Sequence, residues 1–132
     1  MTEPTPAKGP RLEFATAHFF QSYGFFVRRG VKIAVADGVQ EVTDIDVLAL
    51  RFSLPLNEER VVLDCKDRRK AKPFERILWT RGLADFAKAG RAIIVSPNPP
   101  WTAREFAGHG NVEILTSEAV ASRIESVGTT NL

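Results

Sequence analysis

Two short stretches place acidic residues where a sheet core would not choose them. The first is Thr43-Asp44-Ile45-Asp46-Val47-Leu48-Ala49-Leu50 and the second is Val61-Val62-Leu63-Asp64-Cys65-Lys66. Both read as apolar strands, in which Asp and Lys are depleted. A carboxylate buried in such a strand must be paired, hydrogen-bonded or metal-bound, because isolated burial is costly or shifts its pKa. Side chains alternate along a strand, so Asp64 and Lys66 share one face and Cys65 points to the other. If the two strands are neighbours, Asp46 lies beside Asp64, and two carboxylates and an ammonium group share a pocket. Hard oxygen ligands at that density suit Mg²⁺, with Mn²⁺ able to substitute, and leave room for water and a substrate phosphate. Lys66 could then orient or help deprotonate a metal-bound water. The chemistry implied is hydrolysis of a phosphodiester.

A basic cluster follows at once: Arg68, Arg69, Lys70 and Lys72, then Arg76 and Arg81 on the next element. Beside a metal site these residues would hold the phosphates flanking the scissile one. A solvated charged loop explains the run equally well, and it gains meaning only from the Asp-x-Lys before it. Arg28, Arg29 and Lys32 form a second, weaker patch. Other residues carry less. Asp44 shares the strand face of Asp46 but reads as solvated. His18 reads as packed or on the surface. His109 has no second histidine near enough for a zinc spacing. Cys65 alternates into the core and has no activating histidine, which speaks against a cysteine nucleophile. Trp79, Leu83 and Phe86 read as core residues of a helix, with base stacking the lesser reading of Trp79.

The elements that must position these residues follow from punctuation and periodicity. Residues 1–9 read as a flexible leader, and a helix runs from near Pro10 to Tyr23, stopped by Gly24. Strands follow at 25–35, 42–52 and 60–66, the first two joined at a hairpin signal, Asp37-Gly38. Pro73 opens a helix that closes at Gly90. A strand at 91–96, a short helix at 102–107, a strand at 112–115 and a helix from Ser117 to 127 complete the order, and 128–132 reads as a frayed tail. Hairpins join the early strands and helical crossovers the later ones, so the fold is α/β, a mixed central sheet flanked by helices. The chain is 132 residues long with a net charge of +2, which fits one domain, 10–127, and demands no acidic partner. A single cysteine excludes a disulfide-built scaffold. No apolar run spans a bilayer and no signal peptide opens the chain, so a cytoplasmic protein with no membrane partner is expected.

An Asp on one strand and Asp-x-Lys on the next resembles the PD-(D/E)XK nuclease superfamily. The opening helix carries Glu13, and Tyr23-Gly24-Phe25 is similar to the helix–Gly–aromatic–strand passage of Mrr-like restriction nucleases and archaeal Holliday-junction resolvases. The order of elements over about residues 12–120 follows the same pattern. The resemblance implies a restriction-endonuclease-like fold and a metal-dependent endonuclease acting on DNA. It implies Asp46, Asp64 and the Cys65 backbone carbonyl as Mg²⁺ ligands, Lys66 as the catalytic lysine and Glu13 as a supporting acid. Ile45 replaces the proline of the family name, and the helix after Lys66 has no Gln but Glu75, Arg76 and Arg81.

Two rivals stand beside this. The same fold could be a non-catalytic nucleic-acid-binding or assembly module, with Asp64 and Lys66 in a plain salt bridge. It could also be a nuclease for RNA or branched DNA. A small domain without a separate recognition module fits structure-selective cleavage, a homodimer, or a partner protein that supplies targeting.

Overall fold

The computed structural model of the chain describes residues 8–35, 38–66 and 72–130. Its elements run α1 (Lys8–Gln21), β1 (Phe26–Val35), β2 (Gln40–Ser53), β3 (Asn57–Cys65), α2 (Pro73–Phe86), β4 (Arg91–Ser96), α3 (Trp101–His109), β5 (Glu113–Thr116) and α4 (Ser117–Thr130). One mixed sheet has the order β1-β2-β3-β4-β5, antiparallel across β1–β2–β3 and parallel across β3–β4–β5. The expected α/β class, a mixed sheet flanked by helices, is what forms. No helix among the described residues is long and apolar enough to cross a membrane.

Each face of the sheet carries its own core. Leu12 and Phe20 of α1 and Val120 of α4 pack on Val47, Ala49, Val61, Leu63, Cys65 and Val95. Ile77, Leu83 and Ala84 of α2 and Ala103 and Ala107 of α3 pack on Val62, Ala92 and Ile94. The central strands β3 and β4 are covered on both sides, which is why RVVLDC and RAIIVS read as near-continuous apolar runs. The expected leader is shorter at its inner end, because α1 begins at Lys8; Pro10 sits in the first turn, where an amide hydrogen has no intrahelical acceptor. Residues 1–7 lie outside the described part. At the other end α4 runs to Thr130.

The passage from α1 into β1 explains its own sequence. The Phe25 amide donates to the Phe20 carbonyl (3.1 Å) and the Gly24 amide to the Gln21 carbonyl (3.0 Å), with Gly24 at φ +88°. That is a Schellman closure, and its usual apolar contact is present as an edge-on Phe20–Phe25 pair with ring centroids 5.3 Å apart. Helix α2 closes the same way two residues earlier than Gly90 suggests. Ala89 donates to the Ala84 carbonyl (2.8 Å), and Lys88 takes the left-handed position at φ +56°.

Strict alternation fails at one place, and it is the place that matters. Val27 of β1 and Val47 and Ala49 of β2 face the α1 layer, whereas Val31, Ile33 and Ile45 face the α2 layer. All are odd-numbered, so the β1–β2 ribbon switches faces between them. The register pairs Arg29 with Val47 and Val31 with Ile45, which sets Gly30 opposite Asp46 at the switch. Gly30 has φ +62°, a conformation that costs an L-residue about 1–2 kcal/mol. Beyond this pivot β2 leaves β3, whose pairing with β2 ends at Val47–Leu63.

Gly30 and Lys88, both left-handed, should therefore respond with opposite signs. Gly30→Ala is expected to lower stability by about 1 kcal/mol although a Cβ there meets nothing within 4 Å. Lys88→Gly is expected to raise it by about as much. Urea melts of both variants check this, and changes of the same sign would refute the backbone account.

Candidate active site

Carrying the register one step past Val47–Leu63 brings Asp46 opposite Asp64. The β2–β3 ladder ends one step before the two aspartates, and their carboxyl groups are near enough for Asp64 to raise the pKa of Asp46. Their side chains then take different partners. The Asp46 Oδ2 accepts the Cys65 amide at 2.9 Å. A carboxylate stands where a strand carbonyl would otherwise continue the ladder, so the last β3 amide is satisfied after β2 has turned away. Glu13 reaches in from α1 and is close enough to interact electrostatically with Asp46.

Asp64 is 4% exposed and held by a fork from Arg76. The Arg76 Nε meets Asp64 Oδ2 at 3.2 Å and Nη2 donates to Oδ1, so both oxygens are engaged. The salt bridge weighed between Asp64 and Lys66 is corrected here: the partner is Arg76. The reason is the helix that follows β3. Its first turn crosses the strand end, where a guanidinium offers two parallel donors to a carboxylate. Lys66, half-buried, donates its amide to the Val95 carbonyl (2.8 Å) and lines a cleft with Asp44, Asp46, Arg76 and Trp79.

Three carboxyl groups near two cations set the electrostatics. Burial pushes the Asp46 carboxyl up to about 6; Asp64 and Glu13 add to the rise, and the Cys65 amide and Lys66 oppose it. Glu13 is raised as well, chiefly by burial, with Arg29 pulling the other way. Cys65 is buried with its Sγ 3.5 Å from Thr16 Oγ1, and burial first of all pushes its thiol up to about 12, so it is inert as a nucleophile.

The remaining candidates divide. Arg68, Arg69 and Lys70 lie outside the described residues. Lys72 is exposed, 3.8 Å from Glu75. Arg81 bonds Asp85 and the carbonyls of Ala89 and Asn111, tying α2 to the loop after α3, and it does not line the cleft. Arg29 stacks on Phe14 with its guanidinium 5.2 Å from the ring centre, and Lys32 pairs with Glu41 (2.9 Å). Leu83 is core as expected, but Trp79 and Phe86 are 45% and 85% exposed. Trp79 instead walls the cleft, with the Arg76 guanidinium 5.8 Å from its ring centre. Sequence reasoning missed the Arg76–Asp64 fork. Its signal was an Arg in the first turn of a helix that directly follows a strand-end carboxylate.

Among the described residues no group of three or more His, Cys, Asp or Glu side chains is gathered tightly enough to hold a metal ion. By kind, the donors at hand (Asp46, Glu13 and Asp64) suit a hard divalent cation, with Arg76 occupying the ligand positions of Asp64. Compared with known proteins, the chain matches no family model, no curated protein and no solved structure.

The raised Asp46 carboxyl has a consequence for stability. Its folded pKa of about 6 exceeds its ordinary value of 3.8, so between those values the folded chain binds more protons than the unfolded one. The neutral form's contribution is complete below about pH 4 and lost as pH rises to about 6. Asp46→Asn keeps an acceptor for the Cys65 amide and removes the buried charge. It is expected to raise stability at neutral pH by about 1–2 kcal/mol, discounted for partial exposure, and to flatten the slope across that window. Thermal melts across the pH range test this; a variant that keeps the wild-type slope would show the slope belongs elsewhere.

Proposed function

We propose that this chain is a metal-dependent endonuclease of restriction-endonuclease-like fold that hydrolyses phosphodiester bonds in DNA. The observation that carries the reading is convergence: acids from α1, β2 and β3 and the lysine after β3 meet around one strand end, beside an open cleft. Beyond its bond to the Cys65 amide, Asp46 keeps a raised pKa at the edge of an open cleft, a setting common to working acids and bases. In this reading Asp46, Asp64 and the Cys65 carbonyl hold Mg²⁺ or Mn²⁺. Such an ion, when bound, supplies Lewis-acid polarisation of the phosphate and a more acidic water. Lys66 holds a phosphate oxygen and orients the attacking water. Glu13 holds Asp46 and accepts a proton through water. Arg76 leaves Asp64 for the phosphate, trading one charge-assisted fork for another.

The fork also favours a second reading. If Arg76 never leaves Asp64, its guanidinium is a permanent substitute for a cation, and the domain binds nucleic acid without cutting it. Metal response separates the two. Arg76→Ala leaves a buried carboxylate unpaired and is expected to cost about 2–3 kcal/mol in EDTA, less than a fully buried pair because Arg76 is 27% exposed. Under the nuclease reading millimolar Mg²⁺ raises the melting temperature of this variant more than that of wild type, by filling the vacated charge. Equal shifts would favour the non-catalytic module.

Activity itself is tested with duplex, single-stranded and branched DNA and RNA, each with Mg²⁺ and Mn²⁺. Wild type is expected to cut DNA only with metal, with activity falling in acid as protonation of Asp46 competes with the cation. Lys66→Ala is expected to lose about a hundredfold or more in rate while keeping its circular dichroism spectrum. No metal-dependent cleavage of any substrate, or full activity in Lys66→Ala, would overturn the assignment.

A further inference from the structure

Lys66 and Arg76 line two clefts. One is the acidic cleft of Asp44, Asp46 and Trp79. The other is a cavity of about 630 Å³ between α2 and α3, at the carboxyl ends of β3 and β4. Its walls are largely apolar, among them Ile77, Ile94, Pro97 and Pro100, with Ser96 and Asn98 as polar groups. Apolar walls, a few polar groups and this volume are the makings of a small-ligand site. Among the described residues the charged lining groups are Lys66 and Arg76, both shared with the acidic cleft. An occupant with an anionic end at those cations and a flat apolar body within would match the charge layout.

We propose that the cavity takes the base of the nucleotide next to the scissile phosphate, so that the DNA strand is unpaired where it crosses the site. This rests on the nuclease reading for the phosphate and adds the substrate class. A paired base stays stacked in its duplex; only an unstacked one enters a cavity between two helices. Two exposed tryptophans stand near the two clefts. Trp79 walls the acidic cleft, and Trp101, 72% exposed, immediately follows Pro100 of the cavity wall. Trp79 stands beside both cations and Trp101 follows the cavity wall, and exposed aromatic rings near cations suit the stacking and electrostatics of single-strand binding.

The test reads binding in EDTA, where nothing is cut. A fluorescein-labelled oligothymidylate of about twelve nucleotides is compared by anisotropy with a duplex of equal length. The single strand is expected to bind at least about tenfold more tightly. Trp79→Ala and Trp101→Ala should each weaken it about tenfold and leave duplex binding little changed. Ser96→Phe, which fills the cavity from the end of β4, should do the same, with melting curves confirming that each variant folds. Equal or tighter duplex binding, or single-strand affinity indifferent to both tryptophans and to Ser96→Phe, overturns the proposal. Single-strand preference without metal-dependent cleavage would sink the nuclease reading and leave this one standing. Cleavage of fully paired duplex, unaffected by Trp101→Ala, would do the reverse.

Discussion

The Asp46 carboxylate stands where a ladder carbonyl would otherwise be, and much of the site follows from that substitution. β2 must turn away from β3 for the β1–β2 ribbon to fold Val31, Ile33 and Ile45 over the α2 layer. Turning leaves the Cys65 amide without a backbone acceptor, and a buried orphan donor costs about 1–3 kcal/mol. Asp46 supplies the acceptor at 2.9 Å. Gly30, opposite Asp46, supplies the backbone freedom for the turn. One side chain therefore joins the pivot of the ribbon to the end of the central strand. It must be a carboxyl or amide in a position where a sheet would otherwise take Val or Ile.

Electrostatic tension is the companion of that geometry. Glu13, Asp46 and Asp64 approach one another from three elements, and Asp46 answers by holding its proton to about pH 6. Arg76 neutralises Asp64 with a fork, which leaves Asp46 and Glu13 as the undercompensated pair. Acids held at a sheet end at the expense of stability are one feature of sites where charge is kept for a ligand, and structural networks share it. The core beneath it makes no such concession: Val61, Val62 and Leu63 are wholly buried immediately before Asp64.

Much of the fold was legible in one dimension. Gly24 before Phe25, Pro73 at a helix start, the break Pro97 to Pro100 and the apolar runs of β3 and β4 announce their elements by local chemistry, and the elements of the described residues follow the expected order. The errors came where a distant partner decided the outcome. Trp79 and Phe86 have helical spacing suited to a core, but α2 lies over β3 and β4 and leaves that side of itself open. Lys88 closes α2 because Ala89 reaches back to Ala84, a contact no propensity scale contains.

For the site the division is sharper. From its residues alone, the chain determined that Asp46 lies within one strand, that Asp64 and Lys66 close the next, and that Asp64 and Lys66 share a face, since side-chain alternation is local geometry. Only the tertiary structure decided which groups those acids meet: Arg76 on Asp64, the Cys65 amide and Glu13 on Asp46, and Trp79 across the cleft. These contacts depend on where β2 pivots and how α2 crosses β3. Both are set by packing between elements far apart in the chain, and packing leaves no local trace to read.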